Sequence, residues 1–452
     1  MNYKEFISSK QFLIKSSGFK VESSKLNDAL FDFQKDIVRW SLAKGRSAIF
    51  ADCGLGKTIM QLEWAQQVFK YTGKSVLIVA PLSVSFQTKK EGEKFGYDVN
   101  ICNAQDDVVK GINITNYEKL NNFVSKYFSG VVLDESSILK SFSGKIRNQM
   151  IEMFCNTDFK LCCTATPAPN DYMELGNHSE FLSVMTRSEM LSMFFVHDGG
   201  ETSKWRLKGH AEDAFWQWMA SWSVFVDNPV NLGYKEEGYA LPKLNIQEII
   251  VDGDAPIKEK LTLSQRRDAR KESLVDRCEA AANLVNSSKE QWLVWCDLNC
   301  ESDLLHKLIL KSRDVKGSDD AEYKQKMMNG FTNKKLKCLI SKPSIAGFGM
   351  NWQNCHNIIF VGLSDSYEKY YQAVRRCWRF GQKKQVNVYI IISAKEGCVK
   401  ENIERKQRDT EKMQKAMISL TCDITKRELK KTVRMIDVYN AEEKMKLPDW
   451  SF

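Results

Sequence analysis

Three short stretches of this sequence carry residue types that could move a phosphoryl group. The first is residues 47–60, SAIFADCGLGKTIM. An apolar run leads into a turn with Gly54 and Gly56, then Lys57 and Thr58 open a helical pattern. Strand, glycine-rich loop and helix in that order make a phosphate cradle. Glycine lets backbone N–H groups come close, and the helix N-terminus adds a positive dipole. The lysine reaches the outer phosphates, and the hydroxyl can sit on Mg²⁺. The pattern opens on Ala51, a small residue that fits where glycine is usual. The second stretch is Asp134-Glu135, directly after the apolar run GVVL at 130–133. A carboxylate there suits a Mg²⁺ shared with Thr58, and its neighbour suits polarising a water for attack on the γ-phosphate. The third is YQAVRRCWRFGQK at 371–383. Arg376 and Arg379 are three apart, and their spacing predicts one face of one helix. Negative charge building on the γ-phosphate is what such a pair could neutralise.

These stretches need scaffolds that bring distant parts of the chain together. With 452 residues, 43% apolar and 27% charged, the chain is of ordinary globular composition and too long for one core. No run of 18 apolar residues is present, which argues against a membrane span, and the N-terminus lacks a signal-peptide pattern. A cytoplasmic protein is expected. The net charge of +9 suits a polyanionic partner. The 13 cysteines include no C-x-x-C pair and several lie in apolar runs, as in a reduced chain using cysteine as a small core residue.

Short apolar runs at 48–50, 75–80, 99–103, 111–115, 130–133 and 159–164 alternate with helical patterns. They predict a parallel sheet with helices on both faces, whose ligands gather at the carboxyl ends of the strands. The phosphate loop, Asp134-Glu135 and Thr164-Ala165-Thr166 all follow such runs. A second α/β series begins near 241, with runs at 244–251, 291–296, 336–341, 357–361 and 386–392. Between the two, the Met-, Phe- and Trp-rich stretch 179–235 predicts a helical insertion with its own small core. The expected organisation is an arm (1–23), an ATP-binding lobe (24–178), the insertion (179–235), a second lobe (236–398) and a helical basic tail (399–452). The fold class is α/β, two tandem parallel-sheet lobes with a helical insertion between them and a helical C-terminal tail.

Taken in order, the motifs resemble those of superfamily 2 helicases and translocases, nearest the Swi/Snf-like group in its compact phage and prophage form. The matching residues are Gln34 in LFDFQKDIVRW, Gly54-Leu55-Gly56-Lys57-Thr58, Ala80-Pro81-Leu82, TNYE from Thr115, Asp134-Glu135, Thr164-Ala165-Thr166-Pro167, SIAGFGMN from Ser344 to Asn351, and QAVRRCWRFGQ from Gln372 to Gln382. The resemblance implies that the two lobes are RecA-like, that Gln34 reads adenine and that Gly54–Thr58, with Gly349, hold ATP. It implies that Asp134 and Thr58 hold Mg²⁺, Glu135 activates water, and Lys57, Arg376 and Arg379 stabilise the transferring phosphate. Pro81, Thr115, Thr164, Ala165, Thr166, Gly347, Asn351 and Gln372 would couple that site to nucleic acid. Two departures stand out. Ser136-Ser137 replace the usual small residue and histidine, and Arg375 stands where the group often has an acid.

The reading favoured is an ATP-dependent translocase on double-stranded DNA, gripping the phosphate backbone with little sequence preference. An RNA helicase, or an ATP-switched scaffold for a partner nuclease or methyltransferase, are the alternatives. If phage-encoded, the protein would work in the bacterial host cytoplasm.

Overall fold

The computed structural model describes residues 16–433 apart from 83, 141–143, 199–200, 236–238, 253–262, 347–349 and 365. The sites expected at Gly347 and Gly349 therefore lie outside the described residues. So do the start of the N-terminal arm and the end of the basic tail.

Two parallel sheets organise the chain. The first contains β1 (Arg46–Ala51), β2 (Ser75–Ala80), β3 (Val99–Ile101), β4 (Ile112–Asn116), β5 (Phe128–Asp134), β6 (Phe159–Cys163) and β9 (Ser223–Val226), in the order β3-β4-β2-β5-β6-β1-β9. An antiparallel hairpin, β7 (Phe195–Asp198) and β8 (Glu201–Leu207), stands apart from it. The second sheet contains β10 (Leu244–Ile250), β11 (Trp292–Trp295), β12 (Ser312–Val315), β13 (Cys338–Ser341), β14 (Asn357–Val361) and β15 (Val386–Ile392), in the order β10-β15-β14-β11-β13-β12. Residues of the inner strands alternate between two covered faces, which is why β2, β11 and β14 read as nearly unbroken apolar runs. In β1, Ile49 and Ala51 join one core with Trp40 and Trp64, while Ala48 and Phe50 join the other. In β11, Leu293 and Trp295 face one core of lobe 2, and Trp292 and Val294 the other.

Strands β5, β6 and β1 are direct neighbours. Their carboxyl ends carry Asp134-Glu135, Thr164 and the phosphate loop, so sheet order alone sets these three stretches side by side. The stretch 179–235 differs from expectation. Its helix Glu212–Trp222 does bury Phe215, Trp216, Trp218 and Trp222, but against Phe50, Phe225 and the rest of one lobe 1 core. Its last strand, β9, pairs in parallel with β1 and closes the sheet edge. Lobe 1 therefore extends past 178, and this stretch is built into it. An aromatic helix and an apolar strand adjoining an uncovered sheet bury more surface there than in a small core of their own.

The tail also differs from a solvated basic helix. Helix Gly397–Val433 leaves lobe 2 with Ile403 in that lobe's core, then returns across lobe 1, where it buries Met417 and Leu429 in the lobe's two cores. Lys44 pairs with Glu428 at 3.3 Å near its end.

Candidate active site between the lobes

The phosphate loop is shaped by its two glycines. Gly54 has φ +94 and Gly56 φ +80, values that side chains disfavour. At Gly56 a Cβ would also lie 2.2 Å from Gln34 Nε2. That close approach exists because Gln34, buried in helix Asp32–Lys44, donates from Nε2 to the Leu55 carbonyl at 2.9 Å and accepts from the Phe31 N–H at 3.0 Å. The Gln34 side chain is thus aimed at the loop. Helix Lys57–Thr72 starts directly after it, so its first N–H groups face the loop. Lys57 Nζ folds back on the carbonyls of Ala51 (2.9 Å) and Asp52 (3.3 Å). Both bonds can be exchanged for phosphate oxygens by rotating the side chain.

Asp134 is the last residue of β5 and is buried. Burial first, and then the adjoining Glu135, push its carboxyl up to about 7, with Lys57 opposing. Glu135 sits at φ +55, a left-handed conformation uncommon for a side-chain-bearing residue. The backbone thereby breaks from the strand and turns the two adjacent carboxylates apart. The Asp134 carbonyl accepts from the Tyr117 hydroxyl at 2.6 Å, which ties this corner to the chain after β4. Thr164 Oγ1 lies 3.5 Å from Glu135 Oε2, and Thr166 N donates to Thr164 Oγ1 at 3.2 Å. Thr58 and Asp134 are the pair that could hold a divalent cation alongside phosphate oxygens, in keeping with the oxygen donors Mg²⁺ takes.

The arginines come from the other lobe. Helix Tyr367–Val374 ends before them, so Arg376 and Arg379 do not share a helix face as expected. They lie in tight turns, where Arg376 N donates to Ala373 O, Cys377 N to Val374 O and Gln382 N to Arg379 O. The chain bends between them, and both side chains nonetheless converge on one carbonyl. Arg376 Nη1 and Arg379 Nη1 both reach the Met350 carbonyl, at 3.3 and 3.1 Å. Burial, followed by repulsion from Arg376, pulls Arg379 down to about 10. Two such guanidinium groups side by side make a strong anion seat.

One cavity of about 300 Å³ is lined by both lobes. Lobe 1 contributes Gln34, Gly54, Gly56, Lys57, Thr58, Asp134 and Glu135, and lobe 2 contributes Asn351, Arg376 and Arg379. Phe31, Tyr239 and Phe380 form one of its walls near Gln34, with ring centroids 4.6 to 6.2 Å apart. The remaining candidates divide. Pro81 and Thr115 stand at the ends of β2 and β4, and Thr166 Oγ1 donates to Glu368 Oε1 of lobe 2 at 3.3 Å. Ala165 O accepts from Gln414 Nε2 of the long C-terminal helix at 3.4 Å. Gln372 is buried, with neither amide atom bonded among the described residues.

Sequence reasoning missed a second contact between the lobes. Arg375 Nη2 donates to Asp52 Oδ2 and to the Cys53 carbonyl, both at 2.6 Å, and the Tyr371 hydroxyl donates to Asp52 Oδ1 at 2.5 Å. The only signal for it was the departure at 375 itself, an arginine where an acid is common, with Asp52 in the loop of the other lobe.

Residues 276–381 match the helicase conserved C-terminal domain family, which covers β11 to the arginine turns. The TATA-binding protein-associated factor mot1 of Aspergillus fumigatus is 31% identical over 129 residues, 27% of this chain and 7% of that protein. Over its second lobe the chain is thus similar to the helicase conserved C-terminal domain, and it is similar to mot1-type relatives. The Saccharomyces cerevisiae MOT1 factor is 32% identical over 124 residues, 26% of the helicase-like chain and 6% of its relative. The bifunctional helicase and thymine dioxygenase JBP2 of Leishmania braziliensis is 27% identical over 117 residues, 25% of this chain and 11% of that one. The chain thus spans a small part of the length of the curated relatives it matches. Among solved structures, the SWI2/SNF2 ATPase core of Sulfolobus solfataricus in complex with dsDNA aligns over 92% of this chain and 99% of its own, with 16% identity and a TM-score of 0.44. No helix among the described residues is long and apolar enough to cross a membrane.

Proposed function

We propose that this chain is an ATP-dependent motor on double-stranded DNA that hydrolyses ATP between its lobes. One observation carries the reading: a glycine-rich loop, an acidic pair and two arginines, drawn from opposite lobes, line a single cavity. Gln34 and the aromatic wall would take the adenine, and the loop amides with Lys57 the phosphates. Mg²⁺, when bound, would lie between Thr58 and Asp134 and offset charge on the outer phosphates. Glu135 orients and polarises the attacking water, and Arg376 and Arg379 meet the charge that develops on the γ-phosphate. Because the arginines and Lys57 belong to different lobes, the catalytic set is complete only when the lobes are closed. Thr164 and Thr166 link Glu135 to Glu368 of lobe 2, which supports a route from nucleotide state to lobe position. Alternation between closed and open lobes is what would move the chain along a DNA strand, held through phosphate contacts.

The test is ATP hydrolysis measured with duplex DNA, single-stranded DNA and RNA at two salt concentrations. Duplex DNA should stimulate most, and the stimulation should fall as salt rises. Stimulation by RNA alone would replace the reading with an RNA helicase. Glu135→Gln should bind ATP and turn it over at least about 100-fold more slowly, the scale of acid–base assistance; unchanged turnover would remove Glu135 from that role.

A further inference from the structure

The lobes meet at more than the cavity. The Asp52 carboxylate is the centre of that meeting. From its own lobe it accepts the Cys53 N–H at 2.6 Å, and the Asp52 carbonyl accepts Leu55 N–H at 3.3 Å and Lys57 Nζ at 3.3 Å. Its backbone N–H donates to Val226 of the edge strand β9 at 2.9 Å. From the other lobe come Arg375 and Tyr371. Arg375 reaches past the carboxylate to the Cys53 carbonyl, the residue before Gly54. Its guanidinium also lies 5.7 Å from the Tyr371 ring and 5.1 Å from the Trp378 ring. The Arg375 side chain is only 6% exposed and does not line the cavity. Arg375 therefore stands outside the proposed nucleotide site. Next to it, the Phe380 backbone nitrogen is so near Gly54 that a Cβ there would stand 3.0 Å away.

We infer that Asp52, Arg375 and Tyr371 form a latch that positions the phosphate loop from the opposite lobe. Arg375 is a positioning residue. It clamps the two residues entering the loop at the same time as its neighbours, Arg376 and Arg379, enter the cavity. Loop shape and arginine placement thus become one event, since all three arginines ride on the same turns. The inference rests on the proposed hydrolysis between lobes, and it adds a contact of its own: lobes held together by residues that do not line the cavity. A buried charge that loses its partner inside a core destabilises the fold. Here the orphaned charge can instead reach water by parting of the lobes, so the loss should appear as opening and slow turnover.

The experiment uses the full chain with Asp52→Asn, Arg375→Gln, the two together, and Arg375→Lys. Donor and acceptor dyes go on Cys155 of lobe 1 and Cys300 of lobe 2, the two exposed cysteines among the described residues, in a Cys398→Ser background. Asp52→Asn and Arg375→Gln should each lengthen the dye distance in protein without added nucleotide. Each should lower DNA-stimulated kcat at least about 10-fold while KM for ATP moves less than about 3-fold, because Lys57 and the loop amides remain. The double variant should be no slower than the slower single one, as expected for two residues acting on each other. Arg375→Lys should restore most of both readouts, because a single nitrogen, Nη2, makes both bonds. Unchanged dye distance in Asp52→Asn and Arg375→Gln, or losses that multiply in the double variant, would overturn the latch. If the unaltered chain hydrolyses no ATP with any nucleic acid, the proposed function fails. The dye distances of the nucleotide-free variants still decide the latch.

Discussion

Arg379 is placed where it should cost the empty protein stability, and this can be measured. Its side chain is half-buried, Arg376 stands beside it, and its one hydrogen bond among the described residues goes to the neutral Met350 carbonyl. Burial and repulsion pull its titration from the ordinary arginine value to about 10. At 1.36 kcal/mol per unit this is a penalty of ~3 kcal/mol on the charged form. The sign follows from linkage. The folded state holds the proton less tightly than the unfolded one, so at neutral pH, where both are charged, the whole penalty is borne by the fold. Arg379→Gln removes the charge and keeps an amide donor able to reach Met350. Exchange of the charged donor for a neutral, shorter one offsets ~1.5 kcal/mol of the gain. The net expectation is an empty protein more stable by ~1 kcal/mol, seen as a higher urea midpoint by tryptophan fluorescence. Turnover should fall about 10³-fold or more, the worth of an arginine at a transferring phosphoryl group. Arg379→Lys should gain no stability, since it keeps the charge, and should lose turnover because it lacks the planar fork. A lower urea midpoint for Arg379→Gln, or turnover within about threefold of the unaltered chain, would refute the reasoning. On the proposed reading activity and stability oppose each other here, because the seat would take an anion that substrate supplies.

Two further expectations follow from other parts of the fold. Gly54→Ala and Gly73→Ala both place a side chain at positive φ, +94 and +70, and each should cost ~1 kcal/mol in urea unfolding. Gly73 has nothing within 4 Å of the added carbon, whereas Gly54 meets Phe380 of lobe 2. DNA-stimulated turnover should therefore fall at least about 10-fold in Gly54→Ala and stay near normal in Gly73→Ala; equal activities would show that lobe 2 does not dock on the loop during turnover. His178 is fully buried against Phe50, and burial lowers its titration to about 4. The unfolded chain takes up that proton from its ordinary value near 6.5 downward, so stability should be lost progressively from pH 6.5 to 4, by ~3 kcal/mol from this residue. Urea midpoints of the unaltered chain and of His178→Asn should converge over that range; parallel curves would exclude His178 as the cause.

Much of the architecture was legible because it is local. Apolar runs of strand length separated by helical patterns become parallel strands covered on both faces, and β1, β2, β5, β11, β14 and β15 fall on such runs. The tight loop between β1 and the helix from Lys57 was legible for the same reason, since its shape depends on Gly54 and Gly56 at positive φ. Periodicity misled where a segment's partner lay elsewhere in the chain. The aromatics of 212–222 have a helical pattern whether they pack on one another or on lobe 1, and no pattern announced that β9 would pair with β1. The turns at Arg376 and Arg379 read as helix because a spacing of three fits one helix face.

What the sequence by itself determined was the inventory: two α/β lobes, a phosphate loop, an acidic pair after a buried strand, and an arginine pair far along the chain. Tertiary structure alone decided what meets across the gap. Arg375 and Asp52 are 323 positions apart, and their pairing depends on how two separately formed sheets dock. Side-chain chemistry states only that each is a charge in search of a partner. The nearness of Phe380 to Gly54 likewise has no signature in either segment. Contacts between lobes follow from the docking geometry of whole domains, a property of the assembled surfaces and not of any stretch of chain.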